Sequence, residues 1–285
     1  MIRHDLALRV LACAAFGSVL LMALPASPQQ PRSQEDVERE YRELAWQRGP
    51  TEGRIGSTAT IKVPDGQAFL DGPNTRRFLE LNRNPGRDNH YTLVSERSGW
   101  FAVFSFADSG YVKDDEKLDA NALLKSLQDS DGPSNEERKR LGLPALHTEG
   151  WHVPPHYDAA SRRLEWGVRL RGERGSVVNY TIRILGRRGV MNATLVSEPQ
   201  DLDRDIAVFK TSLGGFDFVS GDRYAEFKAG DRVAEYGLAA LVLGGAAVVA
   251  TKTGFIKAFW KLLVIGVIAF GGAATAFFRR LFRRS

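Results

Sequence analysis

The chain has 285 residues, a formal net charge of +5 and one cysteine. Lys252, Lys257, Lys261, Arg279, Arg280, Arg283 and Arg284 alone supply +7, and no Asp or Glu follows Glu235, so residues 32–251 carry −3. A near-neutral body lacks the basic face that nucleic-acid binding needs, which excludes that class of partner.

The N-terminus reads as an export signal. Arg3 and Arg9 form a charged start, Val10 to Leu24 an apolar run of 15 residues, and Pro25-Ala26-Ser27 a small-residue cleavage region. The run is shorter than the roughly 20 residues of a spanning helix; an uncleaved anchor is the alternative. Cys13 makes a poor lipidation site, because most of the apolar run follows it. With the leader removed, the chain has no cysteine and no disulfide. A polar linker occupies 28–33.

The body, 34–230, reads as an α+β domain of seven or eight strands and several helices. Ser33 is an N-cap for a helix whose stripe is Val37, Tyr41, Leu44 and Ala45, ended by Gly49-Pro50. Strands follow at 58–63 and 67–70, a short helix from Pro73 to Asn82, and strands at 91–96 and 100–106. Asp119 caps a helix over 120–128, and a charged helix follows from Pro133 to Gly142. Residues 150–158 read as a proline-stiffened aromatic loop. Period-two alternation at 164–170, 178–184 and 191–195 predicts an antiparallel meander with one buried and one wet face, turned once at Gly186-Arg187-Arg188-Gly189. A helix at 201–213 covers one side of that sheet.

Residues 231–285 read as a membrane anchor. Asp231 caps a helix that runs unbroken into a first apolar stretch, 236–251; the second is 262–278. The 16 residues of the first stretch would span about 24 Å, short of a bilayer core of about 30 Å. Two topologies compete: a helical hairpin, which suits the hydropathy, and a single transmembrane helix over 262–278. The single span keeps the four terminal arginines on the cytoplasmic side and suits the charge rule better. Lys252, Lys257, Lys261, Arg279, Arg280, Arg283 and Arg284 are the topology-determining residues.

Catalytic motifs are sparse. There is no G-x-S-x-G, phosphate loop or G-x-G-x-x-G. His147, His152 and His156 do not share a helical face, since Pro154-Pro155 intervenes, so neither a metal nor another cofactor is expected. Asp114, Asp115, Glu116 and Asp119 form an acidic cluster that suits either acid–base chemistry or helix capping.

Seven ordered segments remain: Trp46-x2-Gly49-Pro50, Ile61-x-Val63-Pro64-x-Gly66, Gly110-Tyr111-Val112-Lys113-Asp114-Asp115, Asn135-x2-Arg138, Gly150-Trp151-x2-Pro154-Pro155-x-Tyr157-Asp158, Leu185-Gly186-Arg187-x-Gly189-Val190 and Gly230-Asp231-x-Val233-Ala234-x-Tyr236-Gly237-Leu238. Together they resemble the bacterial membrane-anchored proteins grouped as domain of unknown function 2167. The resemblance implies a bacterial envelope protein with a signal sequence, an extracytoplasmic domain and a C-terminal anchor, and it brings no catalytic roles. Asp114, Asp115, Asn135, Arg138, Trp151, Tyr157 and Arg187 form the candidate ligand or partner surface.

The expected protein is a binding or scaffolding module at the bacterial inner membrane. Its main domain would lie in the periplasm or otherwise outside the cytoplasm, and its partners would be the lipid bilayer and an envelope protein. Alternatives are an envelope hydrolase using Asp114 or Asp115, and a subunit of a membrane transport or assembly complex packed through Gly244-Gly245.

Overall fold

The computed structural model describes residues 34–82, 84–140, 144–173 and 175–244. The leader, the linker with its Ser33 cap, the second apolar stretch and all seven topology-determining cations lie outside these residues, as does the first stretch beyond 244.

Helix α1 (Gln34–Glu43) is followed by β1 (Gln47–Arg48), β2 (Thr51–Ile55), β3 (Ala59–Val63) and β4 (Gln67–Leu70). Helix α2 (Gly72–Leu81) begins at Asp71, whose carboxylate accepts from the Asn74 backbone, with Pro73 in the first turn. Then come β5 (His90–Ser95), β6 (Phe101–Ala107), α3 (Ala120–Asp129) and α4 (Asp131–Arg140). Strands β7 (His147–Asp158), β8 (Arg163–Gly172), β9 (Gly175–Leu185) and β10 (Val190–Val196) lead to α5 (Leu202–Ser212), β11 (Phe216–Phe218) and α6 (Leu238–Leu243). The α+β expectation holds, with a larger strand count than expected.

Two of the additional strands have physical reasons for escaping notice. Strand β2, TEGRI, buries only Gly53 and Ile55, because a Cβ at Gly53 would sit 2.6 Å from the Phe69 ring. Its inward face therefore carries a single apolar side chain. Strand β7 replaces the expected loop at 150–158. Its two prolines are tolerated because it is an edge strand whose register against β8 slips between Trp151 and Val153 and between Val153 and His156.

Eight strands form one antiparallel sheet in the order β1-β4-β5-β6-β10-β9-β8-β7, and β11-β3-β2 form a second. On one face of the large sheet, Phe69, Leu93, Phe104, Tyr180, Ile182, Ala193 and Leu195 join Ile61 of the small sheet and Phe209 of α5 in the main core. The opposite face has two separate covers. Helices α1 and α2 pack Tyr41 and Phe78 against Leu70, Val94, Phe101 and Val103. At the far end, Leu123 and Leu127 of α3 and Leu238, Leu241 and Val242 of α6 pack against Leu164, Trp166, Val168 and Leu170. The meander therefore does not have one buried and one wet face: β8 turns Leu164, Trp166, Val168 and Leu170 to the side on which β9 and β10 carry Thr181, Arg183, Asn192 and Thr194, and that side is roofed at both ends, with a gap between the roofs.

The chain enters α6 differently from the expected continuous helix. Residues 229–237 are not helical. Asp231 instead bonds Arg187, and its carboxylate also accepts from the Lys228 backbone. Helix α6 ends at Gly244, whose φ of 124° is left-handed backbone that glycine adopts at no steric cost. The described part of the first apolar stretch is therefore a short domain helix, with Leu238 fully buried. Among the described residues no helix is long and apolar enough to cross a membrane.

Candidate functional site

The acidic cluster and the 150–158 segment do meet, at one contact. The Asp114 carboxylate accepts a hydrogen bond from the Tyr157 hydroxyl at 2.7 Å and a charge-assisted one from Arg162. Burial raises the Asp114 carboxyl, but the hydroxyls of Tyr157 and Tyr224 and the Arg162 guanidinium outweigh that and hold it below the usual carboxylate range. A carboxylate held ionised by these partners is a poor general acid and a weak base.

The other acids of the cluster have their own tasks. Asp119 accepts from the backbone N–H groups of Asn121 and Ala122 at the start of α3. The Glu116 carboxylate accepts from the Ala239 N–H at the start of α6. Asp115 is exposed. Helix capping thus accounts for two members of the cluster and a tertiary ion pair for a third.

The remaining candidate residues are dispersed and internally bonded. The Asn135 side chain donates to the Leu146 carbonyl and accepts from the Leu146 N–H. Arg138 donates to the Pro144 carbonyl. Both hold the entry to β7. The Trp151 indole donates to the Ala120 carbonyl, seating β7 on α3. Arg187 makes a two-pronged ion pair with Asp231 at 2.6 and 2.7 Å.

The Arg187–Asp231 pair has a testable pH signature. The hydrogen bonds from Arg187 and from the Lys228 backbone hold the Asp231 carboxyl at about 2. A lowered carboxyl contributes stability above its unfolded pKa and loses it as pH falls through the folded value. Asp231→Asn should therefore flatten the loss of stability between about pH 4 and pH 2, read as the thermal midpoint across that range. An unchanged acid slope would show that Arg187 draws nothing from this partner.

A concave site with a polar floor lies elsewhere, in the gap between the two roofs. A pocket of about 370 Å³ opens over β5, β6, β10, β9 and β8, with walls from the α3–α4 junction and the end of α6. Its volume sits at the low end of the range for small-molecule sites. Register fixes the composition of its floor. His90 pairs with Ser105, Ser105 with Asn192, Asn192 with Arg183 and Arg183 with Leu164, forming one transverse row. The next row on the same face runs from Val103 through Thr194 and Thr181 to Trp166. Successive strands contribute polar side chains to one face because the side-chain period is two.

Arg183 is the dominant charge of this floor. Its guanidinium lies 5.5 Å from the Trp166 ring centroid, an attractive cation–π geometry. Its Nε is sealed from solvent without a hydrogen-bond partner, and no ion pair to it occurs among the described residues. Burial lowers its pKa to about 10, with only Tyr236 acting weakly the other way. His90 has a related deficit: Nδ1 lies 2.8 Å from the Asp88 carbonyl, while Nε2 is sealed without a partner. Burial is the main influence on its lowered pKa. Asp131, at the rim, is occupied by the Thr148 N–H and hydroxyl.

The sequence does contain Asn179, Thr181, Arg183, Asn192 and Thr194 as the polar phase of the meander. Nothing in that alternation distinguishes a solvent face from a roofed one. Among the described residues no group of three metal-type side chains is close enough to hold a metal ion.

A family model described as "Protein of unknown function (DUF2167)" matches residues 47–274. No curated protein matches the chain. Among solved structures, the chain is similar to "Solution Structure of Cyanobacterial PsbP (CyanoP) from Synechocystis sp. PCC 6803". The identity is 10%, the TM-score 0.33, and the match covers 59% of this chain and 91% of that one.

Proposed function

The chain belongs to the family described as protein of unknown function DUF2167, and on that premise we propose that it is an extracytoplasmic ligand-binding module anchored to the bacterial inner membrane. The observation that carries the binding role is the roofed pocket, with its polar floor left short of internal partners. The catalytic alternative draws no support from the acidic cluster, where Asp114, Glu116 and Asp119 are engaged in structural bonds. The location rests on the leader, on the acid-free tail with its +7 charge, and on the apolar stretch at 262–278. The bilayer is the proposed partner of the tail, and an envelope protein remains a proposed partner of the domain.

Within this reading we favour one span. Leu238, Leu241 and Val242 are buried against the domain, and Gly244 closes their helix. This subtracts the start of the first apolar stretch from any crossing segment. The one native cysteine, Cys13, lies in the leader, so once the leader is removed an engineered cysteine is the sole labelling site. Ser285→Cys in intact cells should resist a membrane-impermeant maleimide and react after lysis, while the domain is protease-accessible once the outer membrane is opened. Labelling in intact cells would overturn the single span, and a protease-protected domain would overturn the extracytoplasmic location.

A further inference from the structure

We infer that the pocket takes an organic oxyanion, a carboxylate or phosphate monoester on a compact apolar body, with Arg183 as its charge partner. This rests on the ligand-binding reading above and narrows it to a chemical class. A cation stripped of most of its water is costly unless an anion or several acceptors compensate it. Arg183 has the Trp166 ring on one side and neutral neighbours along its row, Asn192 and Leu164. The nearby acid, Asp131, already serves Thr148, and Asp88 is paired with Arg76. Neither acid ion-pairs with Arg183, whose positive charge has no carboxylate partner among the described residues. A guanidinium presents parallel N–H donors that match a carboxylate or phosphate in two-pronged fashion.

The rest of the lining sets the body of the ligand. Trp166, Val168, Leu170, Leu127 and Val242 supply the apolar lining, with Trp166 against the Arg183 guanidinium. Asn192, Thr194 and Thr181 supply neutral hydrogen-bonding groups along the floor. This combination fits one anionic head, one short aliphatic or aromatic tail and a few hydrogen-bonding positions, and it disfavours a cation or a polyanion.

The test uses the full chain in nanodiscs of zwitterionic lipid, titrated calorimetrically with four probes sharing one tail: octanoate, octyl phosphate, octanol and octyltrimethylammonium. Octanoate or octyl phosphate should bind at least tenfold more tightly than octanol, the scale of a charge-assisted hydrogen bond. Arg183→Gln should erase that preference while leaving octanol unchanged, and Arg183→Lys should restore part of it. Binding should also change tryptophan emission, and Trp166→Phe should remove that signal while heat is still released.

If octanol or the ammonium probe binds as well as the anions, or if Arg183→Gln leaves octanoate affinity intact, the oxyanion assignment falls and the pocket reading survives. If none of the four binds, both fall. A final arm separates the two sources of such a head. Nanodiscs containing phosphatidate that compete with octyl phosphate identify a lipid headgroup, and the absence of competition identifies a soluble acid.

Discussion

Phe209→Ala should cost about 3–5 kcal/mol, the range for truncating a fully buried aromatic. Phe209 is fully buried on α5. Its ring lies 5.8 Å from Trp100 in an edge-on arrangement and 6.3 Å from Phe104. It thus joins α5 to the floor of the main core, and β6, which carries Phe104 and follows Trp100, cannot close the space behind it without losing ladder bonds to its neighbours. A domain of this size loses about 2–4 °C of thermal midpoint per kcal/mol, so a fall on the order of 10 °C is expected for the full chain in detergent. Val208→Ala is the matched control. It lies one residue away but is 36% exposed, and truncation there should stay within about 0.5 kcal/mol. Comparable losses at both positions would mean that α5 is held by something other than this face.

Arg183→Met should have the opposite sign and raise the stability of the ligand-free protein by on the order of 1–3 kcal/mol. Two terms decide it. Desolvating a cation costs several kcal/mol, and stacking on Trp166 returns about 0.5–2 kcal/mol. The linkage sign agrees. Burial lowers Arg183 from 12.5 to about 10, so the unfolded chain binds more protons between those values and stability rises with pH across them. Below about pH 10 the full penalty stands, and it is present at neutral pH. Methionine keeps the aliphatic stem and removes the charge. The measurement is the thermal midpoint at pH 7 without added ligand. Arg188→Met is the contrast, because Arg188 is half exposed and paired with Asp222, so no gain is expected there. Destabilisation by Arg183→Met would show that the arginine serves the fold, and the functional reading of the pocket would lose its main support.

Most elements were legible wherever local chemistry is enough to specify them. The alternation at 164–170, 178–184 and 191–195 became β8, β9 and β10, and Asp119 caps α3. Elements whose identity depends on what packs over them were not legible. Gly53 gives β2 a nearly blank inward face because Phe69 fills it. The prolines of β7 hide an edge strand that relies on β8 for pairing. Asp231 has the residue type of an N-cap, but Arg187, distant in sequence, takes it as an ion-pair partner. The dispersal of the candidate residues has the same reason. Asn135, Arg138, Trp151 and Arg187 look like reactive polar and aromatic residues in isolation, and each is consumed by a backbone or carboxylate partner.

The sequence by itself determined the α+β class, the meander, the near-neutral body and the separate basic, apolar tail, because periodicity, caps and charge are properties of neighbouring residues. Only the tertiary structure decided that the polar phase of β9 and β10 shares a face with the apolar phase of β8 and lies under two helical covers, with Arg183 beside Trp166 in the gap between them. A period-two pattern states which side chains share a face. Whether that face meets water or a roof depends on α2, α3 and α6, which are remote in the chain and arrive only when the cores on both sides of the sheet close.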